Sequence, residues 1–122
     1  MKDNIVRKKS YNFALSIISV SRDLKSANEY ILSRQLVRSG TSIGANIEEG
    51  LQAVSKADFV NKVSVALKEA FETHYWLRLL RDSSLIPPDK AHELIRDCEE
   101  LQRIITAIVK TTKNKTAELP KS

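Results

Sequence analysis

The residues of this chain whose types and spacing could support catalysis are few and scattered. Asn46 with Glu49, and Glu69 with Glu72, stand three apart, so on helices each pair shares a face. Drawn together, they could form a carboxylate-rich cluster. A di-iron bundle site needs Glu-x-x-His pairs on two helices and further Glu ligands. Here Glu72 is followed three residues later by Tyr75, and the nearest analogue is Asp89 with His92. The pattern therefore predicts polar contacts between helices or subunits, or solvated acids, rather than a metal site. His74 and His92 fall in different segments, and no Ser, Cys or Asp is spaced to complete a nucleophilic arrangement with either. Cys98 lies in an apolar stripe and reads as a small buried hydrophobe. No catalytic residue, cofactor, metal or small-molecule substrate is expected.

The stretch Ser39 to Gly50, SGTSIGANIEEG, is the most unusual. An isolated Gly in a helix costs about 1 kcal/mol relative to Ala, so Gly40 and Gly44 imply a compensation, which a close helix crossing supplies. A phosphate loop would require a Walker spacing with Lys before Ser or Thr, and a preceding strand; the segment has neither.

The chain has 122 residues and a formal charge of +5, from 20 Lys and Arg against 15 Asp and Glu. Residues 1–9 carry Lys2, Arg7, Lys8 and Lys9 against Asp3, and residues 110–122 carry Lys110, Lys113, Lys115 and Lys121 against Glu118. Each end is locally +3, which leaves −1 over the residues between them. The basicity belongs to the termini. If these meet, Lys2, Arg7, Lys8, Lys9, Lys110, Lys113 and Lys115 become candidate contacts for the phosphates of RNA or DNA, held by charge without base readout.

These features need elements to position them, and the apolar pattern supplies helices. Ala91, Leu94, Cys98, Leu101, Ile105 and Ile108 recur at steps of three and four. Phe59, Val63, Ala66, Ala70, Leu77 and Leu80 do the same, with Thr73 in the one polar slot. Val6, Ser10, Phe13, Ile17, Val20 and Leu24 form a third stripe, and Leu32, Leu36, Gly40, Ile43 and Ile47 a fourth. No segment alternates with period two, so strands are not expected. Ser26 with Glu29 reads as a capping box, Gly50 as a left-handed C-cap, and Ser55 with Asp58 as a helix start. The run SSLIPP ends the third helix. Helices are predicted over about 3–24, 27–49, 56–82 and 88–112, with residues 113–122 a flexible basic tail. Short connections then give an all-α, up-down-up-down antiparallel four-helix bundle forming a single domain over 1–112. That topology places both basic termini at one end.

One helix of a monomeric bundle needs one buried face. The third helix has Phe71, His74, Tyr75, Trp76, Leu79 and Leu80, which wrap beyond one stripe. A homo-oligomer contact is expected there, at Tyr75, Trp76 and Leu79. A single Cys and no long apolar run favour a reducing, cytoplasmic compartment and no membrane span. The residues allow two functions: a weak, sequence-nonspecific nucleic-acid-binding adaptor, or a protein-only scaffold whose third helix docks partner helices while the basic ends solubilise it.

The segment SGTSIGANIEEG, followed by SVALKEAFETHYWLRLL, resembles the bacterial four-helix-bundle family of proteins encoded in intervening sequences of 23S ribosomal RNA genes. The resemblance rests on Ser42, Ile43, Asn46, Ile47, Glu49 and Gly50, and then on Glu69 and Glu72. It implies an up-down bundle, usually a homopentameric ring. It also implies kinship with the accessory variability protein of diversity-generating retroelements, which binds nucleic acid and a reverse transcriptase through basic surface.

Overall fold

The computed structural model describes the backbone of residues 2–118 and the side chains of residues 5–114. Four helices follow one another: α1 Lys2–Ser26, α2 Tyr30–Leu51, α3 Lys56–Asp82 and α4 Pro88–Glu118. Each packs on its sequence neighbours and α1 also meets α4, while among the described residues the diagonal pairs do not approach backbone to backbone. This is the expected up-down-up-down four-helix bundle. The α1–α4 seam is much the thinnest of the four.

The apolar stripes become the core. Ile17, Leu36, Ile43, Leu77, Leu80, Leu94 and Ile105 are fully buried, and Val6, Phe13, Val20, Leu24, Val63, Cys98, Leu101 and Ile108 lie with them. Phe59 and Leu32 are packed only partly. The polar intruders are satisfied. Thr73 Oγ1 donates to Ser39 Oγ at 2.9 Å, and Ser33 Oγ donates to the Ser21 carbonyl at 2.9 Å. Among the described residues no buried side-chain polar atom lacks a partner, as a close-packed interior demands.

The helix ends depart from expectation at three places. The Ser26–Glu29 capping box does not form: Ser26 stays in the last turn of α1, and Glu29 is itself the N-cap of α2, accepting from the Leu32 amide. Between them Asn28 takes φ 66°, where its amide bonds the Lys25 carbonyl while the Glu29 amide reaches back to Leu24. That pattern closes α1 with a Schellman motif, and Asn is the side-chain-bearing residue that best tolerates the left-handed region. Ser84, at φ 60°, closes α3 in the same way, with the Leu85 amide on the Leu80 carbonyl.

Gly50 is not a left-handed cap. It lies inside α2 without positive φ, and the helix ends at Leu51 with Gln52 as C-cap. A Cβ at Gly50 would stand 3.4 Å from Lys62 Cβ and 3.5 Å from Val63 Cγ2. The missing side chain serves the close approach of α3 rather than a left-handed turn.

Finally, α4 runs to Glu118, past the expected end at 112. The backbone of residues 113–118 is helical, and residues 119–122 lie outside those described.

Candidate nucleic-acid interface

Ion pairs fix the relative level of the helices. Lys9 Nζ stands 3.2 Å from Glu100 Oε1 on α4, and Arg7 Nε donates to Glu48 Oε2 at 2.8 Å on α2. The N-terminal turns of α1 therefore share an end with the C-terminal parts of α2 and α4, and Lys110 and Lys113 lie at that end. Folding also brings Glu48 and Glu49 there, and Glu49 pairs with Lys62 across 3.4 Å. A tally by chain segment misses these acids, since they arrive on other helices. Of the predicted cations, Arg7 and Lys9 are paired, while Lys8, Lys110 and Lys113 are exposed with no ion pair among the described residues. The side chains of Lys2 and Lys115 lie outside the described residues.

Arg103 is an addition. It stands two turns before Lys110 on α4, and with Gln102, Thr106 and Ala107 the two cations line one shallow depression. The seven-residue spacing was visible in the sequence, but a search confined to the termini passes over it.

Of the box and the α3 acids, Ser42 and Asn46 bond within α2, while Glu49, Gly50, Glu69 and Glu72 meet the facing helix. Ile43 is buried. Asn46 Nδ2 donates to the Ser42 carbonyl at 2.8 Å, and Ser42 Oγ donates to the Arg38 carbonyl. Glu69 and Glu72 both pair with Arg38, and Trp76 Nε1 donates to Glu72 Oε2 at 3.3 Å. Asn46, Glu49, Glu69 and Glu72 therefore do not act as one carboxylate cluster: Glu49 answers Lys62, and the α3 acids answer Arg38. Among the described residues no three of His, Cys, Asp and Glu converge on a point. Arg38 was not singled out from sequence, although its guanidinium is what gathers both glutamates; its two donors suit two carboxylates as a single ammonium would not.

On the other flank of α3, Phe71, Tyr75 and Leu79 are exposed and Trp76 is half-buried. Arg78 lies over the Tyr75 ring, 5.7 Å from its centroid, and its Nε donates to His74 Nδ1 at 3.1 Å. His74 Nε2 then faces Glu99 Oε2 at 3.0 Å. The histidine is a link between α3 and α4, with both ring nitrogens engaged.

Cys98 Sγ donates to the Ala70 carbonyl at 3.2 Å. Burial, with Glu99 and Asp97 adding repulsion, pushes its thiol up to about 12. The thiolate is the reactive form, so the folded chain should resist iodoacetamide at pH 8 and react fully once denatured. The linkage has a sign. Between the unfolded thiol's pKa of about 8.5 and the folded value, only the unfolded state loses its proton. Stability is therefore full below that window and falls as pH rises through it, by up to about 1.4 kcal/mol per pH unit. Denaturant midpoints of the wild type and Cys98→Ala between pH 8 and 11 check this, with the slope expected to be shallower in the variant.

The profile of the 23S rRNA-intervening sequence protein family matches residues 2–107. The chain belongs to that family. The chain is also similar to a solved structure from Bacteroides thetaiotaomicron VPI-5482, described as a protein of unknown function from the S23 ribosomal protein family. The two are 45% identical, with a TM-score of 0.88 over 90% of this chain and 99% of the other. No curated protein sequence matches the chain. No helix among the described residues is long and apolar enough to cross a membrane.

Proposed function

We propose that this family member is a non-enzymatic, cytoplasmic, homo-oligomeric bundle that binds RNA or DNA weakly and without sequence preference. The observation that carries the reading is the end of the bundle where Lys8, Lys110 and Lys113 stand exposed with no ion pair among the described residues, with Arg103 extending the cations along α4. Uncompensated cations on a rigid scaffold attract phosphates through release of condensed counterions. Assembly would repeat the cluster once per subunit, and a pentamer is the ring the family resemblance implies.

Fluorescence anisotropy of a labelled stem-loop RNA, titrated across salt, tests the reading. Binding should weaken linearly in log salt. Replacing Lys8, Arg103, Lys110 and Lys113 by Gln should cost at least tenfold in affinity and reduce the slope by about one for each phosphate that the variant no longer neutralises. No binding at low salt, or a variant that binds as the wild type does, refutes it.

The exposed Phe71, Tyr75 and Leu79 favour a second reading, a scaffold that engages protein alone. A protein partner retained after nuclease treatment, together with absent RNA binding, would select it.

A further inference from the structure

At the end of the bundle opposite the basic termini, α1 and α2 enclose an open depression of about 290 Å³. Its floor is the helix crossing at Ser21 and Ser33, whose hydroxyls bond each other's carbonyls at 3.4 and 2.9 Å. Two small side chains meeting there leave room above them. Ile18, Val37 and Tyr30 supply apolar walls, and Arg22, Lys25 and Arg34 supply the polar lining.

The charge at this depression is one-sided. No Asp or Glu lines it. Arg7, Lys9, Arg38 and Lys62 each have a carboxylate partner, whereas Arg22, Lys25 and Arg34 are exposed and enter no ion pair among the described residues. Three cations around one hollow repel one another and raise its potential, and an anion bound there relieves both. Two of the three are arginines, whose planar forks match phosphate oxygens. Tyr30 is held in place, since its hydroxyl donates to Asn28 Oδ1 at 3.0 Å, and Asn28 is fixed by the left-handed turn that closes α1.

Apolar walls and an anchored aromatic ring suit more than a bare inorganic anion. They accommodate a planar ring attached to the phosphate, stacked or packed edge-on against Tyr30. The volume lies at the lower edge of small-ligand pockets, enough for one nucleotide and too small for a duplex. We propose that the α1–α2 depression bounded by Arg22, Lys25, Arg34 and Tyr30 binds a nucleotide, free or as the end of a single strand. The site is separate from the basic termini, and its failure would leave the reading of that end standing.

The test is a titration of the isotopically labelled full chain with AMP at low salt, followed by amide chemical shifts, with inorganic phosphate and adenosine as separate probes. AMP should shift the resonances of residues around Ile18, Arg22, Tyr30 and Arg34, and should bind at least tenfold tighter than either probe alone. Arg22→Gln with Arg34→Gln should weaken AMP at least tenfold, and Lys8→Gln with Lys110→Gln should leave it unchanged. All four side chains are exposed, and unchanged circular dichroism confirms that each variant folds. A 5′-phosphorylated oligonucleotide binding tighter than AMP supports a strand end as the natural ligand; equal binding supports the free nucleotide. No shifts at millimolar AMP, shifts reproduced by phosphate alone, or shifts unaffected by the double arginine variant would overturn the proposal.

Discussion

Gly40→Ala is expected to destabilise the bundle, although Ala is the better helix former by about 1 kcal/mol. A Cβ at Gly40 would lie 2.8 Å from Ile17 Cγ2, 2.9 Å from Cγ1 and 3.2 Å from Cβ. These atoms surround the branch point of a fully buried side chain, so no flexible end can swing aside. Overpacking of this kind costs about 1–3 kcal/mol, enough to outweigh the propensity gain and lower the melting temperature by several degrees. Gly44 is the internal control. Its added Cβ would meet Ser10 Oγ at 3.4 Å and the Ser10 backbone at 3.5 Å, which is ordinary contact. Gly44→Ala should therefore be neutral or stabilising by up to about 1 kcal/mol, whereas Gly44→Leu should disrupt the α1–α2 crossing. Thermal denaturation of the alanine pair checks the opposite signs. Gly40→Ala combined with Ile17→Ala should cost less than the two single substitutions summed, and a Gly40→Ala melting temperature at or above wild type would refute the close-crossing account.

Phe13→Ala should be still more costly. Phe13 is 4% exposed and lies beside Leu101 where α1 meets α4, the thinnest seam of the bundle. Truncating a buried Phe costs about 3–5 kcal/mol, against a total stability of about 5–15 kcal/mol for a typical domain. The urea midpoint should fall by a large fraction of its wild-type value. Phe71, at 56% exposed, makes the contrast. Phe71→Ala should change the stability of an isolated chain by no more than about 0.5 kcal/mol. If the α3 flank is a subunit contact, light scattering should give a wild-type mass several times 13.8 kDa, with Phe71→Ala shifting it downward. A wild-type mass near that of one chain would remove the oligomer from the proposed function.

The core was legible because heptad spacing survives without knowledge of partners. Leu94, Cys98, Leu101 and Ile105 had one side to bury, and even Thr73 in its polar slot could be placed in the seam. Ser55 was readable as a cap, since its bond to the Asp58 amide is a local event. Asn28 and Ser84 were harder. A left-handed residue other than Gly gives only a weak composition signal, and the Ser26–Glu29 pair offered a competing local pattern that the fold did not use. The charges were least legible. Whether Lys9 is available to a phosphate depends on Glu100, ninety-one positions away, and whether Arg22 is available depends on the acids that fail to approach it. The sequence located the basic ends; only the packed helices distinguish neutralised cations from open ones.

The unequal seams also set an order of assembly. Three of the four helix contacts join neighbours across short turns, so each can close at small entropic cost, and a chain rich in such local contacts folds fast. Only the meeting of α1 with α4 requires the whole chain to come round on itself. It is the thinnest seam among the described residues, so its opening is expected toward the low end of the local opening energies that amide exchange reports. Amide exchange is then expected to show the α1–α4 seam at Phe13 and Leu101 opening before the three hairpins do.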